Sequence, residues 1–268
     1  MTNIKTATSF FFWFLKRPSL YREFVRLSAH KLSTTFSPSK DTRKESEAWC
    51  EKQALNSSEA IKQITGKAVE VPIREKFSEI FKTAEVVANN CSEKMGGAGE
   101  LDLLYAMTEF SQAKKVIETG VAYGWSSLSM LLSLSTRENS KLISTDMPYP
   151  GRNNDNFVGC VVPDSLRKLW KLIRLADRDG LPLALQEHGS IDLCHYDSDK
   201  RYNSRMWAYP LLWNALTKNG IFMSDDIGDN IAFKDFCDYL KMKPTIVRTP
   251  SSHGFKYIGI LVKPSSGN

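Results

Sequence analysis

The segment Val116-Ile117-Glu118-Thr119-Gly120-Val121-Ala122-Tyr123-Gly124-Trp125-Ser126-Ser127 constrains the fold more than any other. Its apolar start predicts a buried strand, Gly120 and Gly124 predict a tight turn, and Ser126 opens a helix. A strand that passes through glycines straight into a helix is the first half of a βαβ unit. It commits the chain to a parallel sheet with a ligand crevice at the carboxyl ends of its strands. Gly120 lacks a Cβ and tolerates positive φ, so the turn lets backbone approach a ligand closely.

The chain beyond residue 95 keeps this rhythm. After a helical pattern at 100–110, apolar runs at 115–118, 141–145, 171–175, 191–196 and 220–224 alternate with helical patterns at 126–134, 163–170, 181–187, 206–217 and 231–240. Runs at 245–248 and 255–262, separated by Pro250-Ser-Ser-His-Gly254, predict an antiparallel hairpin. The expected fold is α/β: a Rossmann-like, doubly wound, mostly parallel sheet with a C-terminal antiparallel hairpin, preceded by an N-terminal helical region. Residues 1–94 form that region, with helices expected over 18–32, 41–64 and 74–89 and a linker through Ser39, and residues 95–268 form the ligand-binding domain.

Two acids shape the expected pocket. Glu118 ends an apolar strand, where a charge requires hydrogen-bond donors or a positive ligand group, a surface position being the competing reading. Asp146 ends the next strand, twenty-six positions after Gly120, where an acid can accept both hydroxyls of a ribose. The G-x-G-x-x-G fingerprint is absent, so no run of amides is set to cradle a pyrophosphate. The pocket suits a nucleoside without phosphates.

Glu118-Thr-Gly-Val-Ala-Tyr-Gly-Trp-Ser-Ser127, Asp146-Met-Pro148, His195-Tyr-Asp-Ser-Asp199 and Ser224-Asp-Asp-Ile227 together resemble the class I S-adenosylmethionine-dependent methyltransferases, over about residues 95–263. The resemblance implies that the glycine turn lies under the methionine part of the cofactor, that Asp146 binds its ribose, and that Ala176-Asp-Arg178 flank its adenine. The family commonly has Gly-Asp-Ala or Gly-Asp-Ser at this last place, so the chain departs from it there. The expected cofactor set is Glu118, Gly120, Ala122, Tyr123, Gly124, Ser126, Asp146, Asp177 and Arg178.

Two further acid groups, Asp197 with Asp199 and Asp225 with Asp226, end consecutive strands and should converge on the same crevice. Converging carboxylates repel unless a cation, a proton or a basic group offsets them, and hard oxygen ligands suit a divalent cation, Mg²⁺ above all. The chain is similar here to the metal-dependent small-molecule and sugar O-methyltransferases, which implies that Asp197, Asp225 and Asp226 hold the ion. Asp199 and His195 are then the candidate general bases. The competing readings are structural. Asp197 and Asp199 can form ordinary ion pairs with Lys200 and Arg201, Ser224-Asp225-Asp226 can cap a helix beginning near Asn230, and His195 can be a satisfied core histidine. Trp125, Tyr123, Tyr149, Arg152 and Asn153 are expected to border the crevice, with 149–158 as a substrate-covering loop suited to a small-molecule or glycan acceptor.

The net charge of +6 resides mostly in the first fifty residues, which carry nine Lys and Arg against four acids. Without interleaved aromatic and basic strands, nucleic-acid binding is not expected. Five scattered cysteines with no C-x-x-C pair make neither a disulfide framework nor a zinc site, and point to a cytoplasmic setting. The apolar run Ser9–Leu15 is too short to span a bilayer, and Lys16-Arg17-Pro18 stand where a signal peptide needs small residues. With the basic residues after it, the stretch 9–26 reads either as a peripheral membrane contact or as a helix packed on its own domain or on a homodimer partner. The functional expectation is an O-methyltransferase. Its competitors are a nicotinamide-dependent oxidoreductase and a non-catalytic protein that docks on a membrane or partner through residues 1–50.

Overall fold

The computed structural model describes residues 2–36, 42–150, 152, 154–251 and 254–265. The end of the expected linker, residues 37–39, and the expected crevice residue Asn153 lie outside them, and the start of that linker, 33–36, is helical. The N-terminal part runs α1 (Thr2–Leu15), α2 (Tyr21–Phe36), α3 (Arg43–Glu51), β1 (Ala54–Leu55), α4 (Ser57–Thr65), α5 (Ile73–Lys76) and α6 (Ser78–Asn89). Then follow α7 (Leu101–Phe110), β2 (Lys115–Thr119), α8 (Trp125–Leu134), β3 (Lys141–Thr145), α9 (Asp164–Arg167), β4 (Trp170–Ile173), α10 (Asp177–His188) and β5 (Ile191–Tyr196). The chain continues through α11 (Tyr202–Ala215), β6 (Leu216–Ser224), α12 (Ala232–Leu240), β7 (Thr245–Ser251) and β8 (Gly254–Val262).

Among the described residues the strands form one eight-stranded sheet in the order β1-β7-β8-β6-β5-β2-β3-β4. Pairing is parallel from β6 through β5, β2 and β3 to β4, whereas β8 runs antiparallel to both β6 and β7. The doubly wound sheet with its C-terminal hairpin is therefore present. The chain steps outward from β2 to β4 and then returns to β5 on the other side of β2. This reversal opens a crevice above β2 and β5, where such sheets take ligands.

The strands read as apolar runs because both faces are covered. Val116, Leu142, Leu193 and Ile221 enter one core with Leu104, Leu128 and Leu131. Their neighbours Ile117, Ile143, Cys194 and Phe222 enter the other with Leu181, Tyr209 and Phe236, as the two-residue strand period requires.

Four expectations need correction. The helix expected over 74–89 is broken at Phe77 into α5 and α6, and the one expected over 206–217 gives way to β6 at Leu216. Residues 41–64 are not one helix: Ala54 and Leu55 leave it to pair in parallel with Ile246 and Val247, and Asn56 then starts α4 with a capping box closed by Glu59. The helical pattern at 163–170 overran its element, since α9 ends at Arg167 and Trp170 already belongs to β4. The Trp170 indole N–H donates to Ser144 Oγ (2.8 Å), and its ring packs against Gly159.

Candidate active site

The glycine turn after β2 is held from both sides. Gly120 N–H donates to the Thr145 carbonyl (2.8 Å), and Asp197 N–H to the Thr119 carbonyl (2.9 Å), so the ends of β2, β3 and β5 are stitched together. Gly120 has φ +78°, and a Cβ there would collide with the Asp197 carbonyl oxygen. Gly124 has φ +92°, and its Cβ would lie 2.9 Å from the Gly159 Cα. Both glycines are thus demanded by neighbouring backbone, a stronger reason than the close approach of a ligand.

Glu118 is fully buried, which removes the surface reading. Its carboxylate accepts from Ser126 Oγ (2.5 Å), Ser127 Oγ (2.5 Å) and Ser144 Oγ (2.6 Å). It therefore braces the start of α8 against β3, and Ser126 is committed to it. Asp146, 4% exposed, accepts from Val121 N–H (2.9 Å) and pairs with Arg174. Burial lifts its carboxyl above the ordinary range despite Arg174.

A cavity of about 1210 Å³ opens above these strand ends. Its wall includes Gly120, Ala122, Ser126, Asp146, Asp177 and Arg178 from the expected cofactor set, but not Glu118, Tyr123 or Gly124. The Tyr123 hydroxyl is drawn away to the Glu93 carbonyl (3.0 Å). Trp125 lines the cavity and Arg152 does not; of the described residues of the expected 149–158 loop only Tyr149 and Pro150 reach the wall, beside Met147 and Pro148 that precede it. Asp177 accepts from Ser198 Oγ, and burial, with Asp199 nearby, pushes its carboxyl up to about 6.

The same cavity contains His195, Asp197, Asp199, Asp225 and Asp226, as their strand-end positions require. The charge partners of these acids are specific. Lys200 Nζ pairs with Asp197 and with Asp226 Oδ2 (2.8 Å), and Lys256 Nζ from β8 pairs with Asp226 Oδ1 (3.0 Å). Asp199 receives the Arg201 guanidinium on both oxygens, with Nε at 2.9 and 3.0 Å. Burial would raise the Asp199 carboxyl, but Arg201 outweighs it and holds it below the ordinary value. The ion-pair reading of Asp197 and Asp199 therefore holds, although both stand in the cavity rather than in solvent.

His195 is 2% exposed, with Glu118 Oε1 3.8 Å from Nδ1 and Asp225 Oδ1 3.5 Å from Nε2. Neither ring nitrogen has a well-formed hydrogen bond. Burial would lower its pKa, but Asp225 and Glu118 outweigh it and push it up to about 10. The two acids on either side of the ring thus favour its charged form. Asp226, at φ +52°, precedes a 3-10 turn without capping it, and Asn230 Oδ1 instead accepts from Ala232 N–H (3.1 Å) at the start of α12. Among the described residues, no group of three or more His, Cys, Asp or Glu side chains is arranged to hold a metal ion.

The sequence reading missed the part of the wall supplied from far along the chain. Glu23, Arg26, Leu27 and Ala29 bring α2 over the cavity. Arg26 grips Asp179 with two bonds (2.8 and 2.7 Å), and Arg17 (3.1 Å) and Arg174 (2.7 Å) share Asp155. Thr249, Pro250, Ser251, Lys256 and Ile258 make the hairpin a wall as well as a sheet edge. Only the basic excess of the N-terminus hinted that it would seek acids elsewhere in the chain.

Residues 117–227 match a family model described as a methyltransferase domain. No curated protein sequence matches the chain. Among solved structures, the O-methyltransferase from Bacillus cereus in complex with SAH is 14% identical, with TM-score 0.51, over 80% of this chain and 100% of that one. Cofactor-bound Rv0187 from MTB gives 12% identity and TM-score 0.55 over the same shares. The O-methyltransferase TomG from Streptomyces achromogenes, involved in tomaymycin synthesis and bound to SAM, gives 16% and 0.52 over 69% of this chain and 90% of that one. At such identities the likeness is one of fold.

Proposed function

Residues 117–227 match a methyltransferase-domain family model, and from that premise we propose that the chain transfers a methyl group from S-adenosylmethionine to a hydroxyl oxygen of a small-molecule or glycan acceptor. The observation that carries this reading is the single cavity containing both the nucleoside-type acids Asp146 and Asp177 and the charged cluster around Lys200 and Asp225. The methyltransferase match leaves the nicotinamide-dependent alternative without support.

When bound, S-adenosylmethionine supplies a methyl group on a sulfonium, open to in-line attack by an acceptor oxygen. The residues of the chain bind and orient. Asp146 would accept the ribose hydroxyls, Asp177 and Arg178 would border the adenine, and the backbone at Gly120–Ala122 would hold the methionine part. Glu118 acts at one remove, through the serines that fix the turn and through His195. His195 faces Asp225 at 3.5 Å without a formed hydrogen bond, and Asp199 acts through Arg201. The walls from α2 and from the β7–β8 hairpin exclude water and shape the acceptor end.

A dication on Asp197, Asp225 and Asp226 does not fit the donor set as it stands. Both oxygens of Asp226 are engaged by ammonium groups, Asp197 shares one of these, and Asp225 faces His195. The test of the proposal is incubation with methyl-labelled S-adenosylmethionine and a panel of polyol, sugar and catechol acceptors, followed by mass spectrometry. An O-methylated product is expected; transfer to nitrogen or carbon alone would overturn the oxygen assignment.

One observation favours peripheral membrane contact through residues 9–26. Phe11, Phe12, Leu15 and Val25 are exposed beside the exposed Lys16 and Arg22, while Phe10, Phe14 and Phe24 pack together. Among the described residues, no helix is long and apolar enough to cross a membrane. Co-sedimentation with anionic vesicles, lost in the Phe11→Ser/Phe12→Ser variant, is the expected result, and equal sedimentation of both proteins would remove the reading.

A further inference from the structure

The acids that end β5 and β6 lie where the resemblance expects a divalent cation, and a lysine of this chain stands among them. Lys200 Nζ bridges Asp197 and Asp226, at 2.8 Å from Asp226 Oδ2. We infer that the Lys200 ammonium is a built-in cation that occupies the place of the metal and excludes it, so that this methyltransferase domain works with a side-chain charge where a dication would otherwise sit.

Three observations carry the inference. First, the lysine is positioned from its backbone and is not a loose surface chain. Asn230 Nδ2, from the turn after β6, donates to the Lys200 carbonyl (2.7 Å), which ties the segment after β5 to the segment after β6. Second, the opposing acids are fixed as well. Arg205, fully buried, donates to the Asp225 carbonyl (3.2 Å) and the Asp226 carbonyl (2.9 Å). Asp226 is held at φ +52°, a left-handed conformation that a non-glycine residue adopts at a cost and that aims its carboxylate at the two lysines.

Third, the acids are already engaged by ammonium groups. Asp226 pairs with both Lys200 and Lys256, and Asp197 shares Lys200. A magnesium ion requires oxygen ligands at about 2.0–2.1 Å in near-octahedral array, whereas the oxygens of Asp226 are turned to ammonium groups. An ammonium instead accepts carboxylates at hydrogen-bond distance and needs no dehydrated shell. The two occupants exclude one another, by charge as well as by geometry.

The inference rests on the methyl-transfer reading only for its bearing on catalysis, because cation occupancy can be measured without turnover. The experiment is titration of the full chain with Mn²⁺ alone at neutral pH, followed by electron paramagnetic resonance of the free ion. The wild-type protein is expected to leave Mn²⁺ free. Lys200→Met keeps the length of the side chain and removes its charge, and it is expected to bind one Mn²⁺ at least tenfold more tightly than wild type. Lys200→Arg should remain without the ion, and adding Asp197→Asn to Lys200→Met should abolish the acquired site. Binding of one Mn²⁺ by the wild-type protein, lost in Asp197→Asn, would overturn the inference without any variant at Lys200. Failure of a folded Lys200→Met, checked by its melting curve, to acquire the ion would overturn it too. A parallel titration with S-adenosylmethionine reports on the methyl-transfer reading separately.

Discussion

The nucleoside side of the cavity and its charged side are built from the same material, acids at the ends of parallel strands, yet they are organised differently. Asp146 is set mainly by neighbouring backbone: its N–H donates to the Ile173 carbonyl (3.0 Å) and its side chain takes the Val121 N–H, with Arg174 as its one charge partner. Asp197, Asp225 and Asp226 are set by charges from elsewhere, Lys200 in the turn after β5, Lys256 on β8 and His195 on β5. A binding site for a neutral nucleoside needs only backbone geometry and one acceptor. A cluster of like charges needs counter-charges, and the fold has to deliver them from other elements.

The comparison breaks most visibly if the turn is not structural. Gly120→Ala places a Cβ against the Asp197 carbonyl at φ +78°. The expected loss is about 3 kcal/mol or more in denaturant unfolding, with or without cofactor. A loss of cofactor binding at unchanged stability would instead return Gly120 to the role of a purely ligand-facing residue.

A smaller effect sharpens the nucleoside side. The Asp177 carboxyl is held up at about 6, against an ordinary value near 3.8, chiefly by burial. Its raised folded pKa contributes stability that is fully present below about pH 4 and is lost as pH rises through about 6. Cofactor binding should run in the opposite direction, because the ionised form is the better acceptor for an adenine amino group. Affinity by fluorescence titration is expected to be about tenfold weaker at pH 5 than at pH 7, and Asp177→Asn should flatten both curves. Parallel rather than opposed trends would contradict the assignment. The smallest expected effect concerns the distant wall. Arg26→Ala removes a partly exposed grip on Asp179, costing about 1 kcal/mol or less, and should raise the acceptor KM up to about fivefold with kcat little changed. An unchanged KM would mean that α2 covers the cavity without shaping it.

The same contrast explains what the sequence could disclose. The strand-turn-helix at 116–127 and the acid at 146 were legible because they follow chain order, one βα unit at a time. Lys200 was legible as a local partner of Asp197, three positions away, but its second bond to Asp226 was not. Neither was Lys256, which reaches Asp226 only because β8 inserts antiparallel between β6 and β7. Arg26 and Asp179 lie 153 positions apart, beyond any periodic signal. The edge strand Ala54–Leu55 was hidden because two residues carry no period, and their conformation comes from pairing with β7. Glu118 was recognised as an acid needing a reason, but its three serine donors come from two elements that meet only in the folded sheet.

The central claim is that Asp146 anchors a nucleoside cofactor at the switch point of this sheet. Isothermal titration of the full chain with S-adenosylmethionine tests it most directly, with Asp146→Ala as the comparison and a melting curve to show that the variant is folded. One saturating site in the wild-type protein and none in the folded variant is the predicted result. Equal binding by the two proteins would contradict the account.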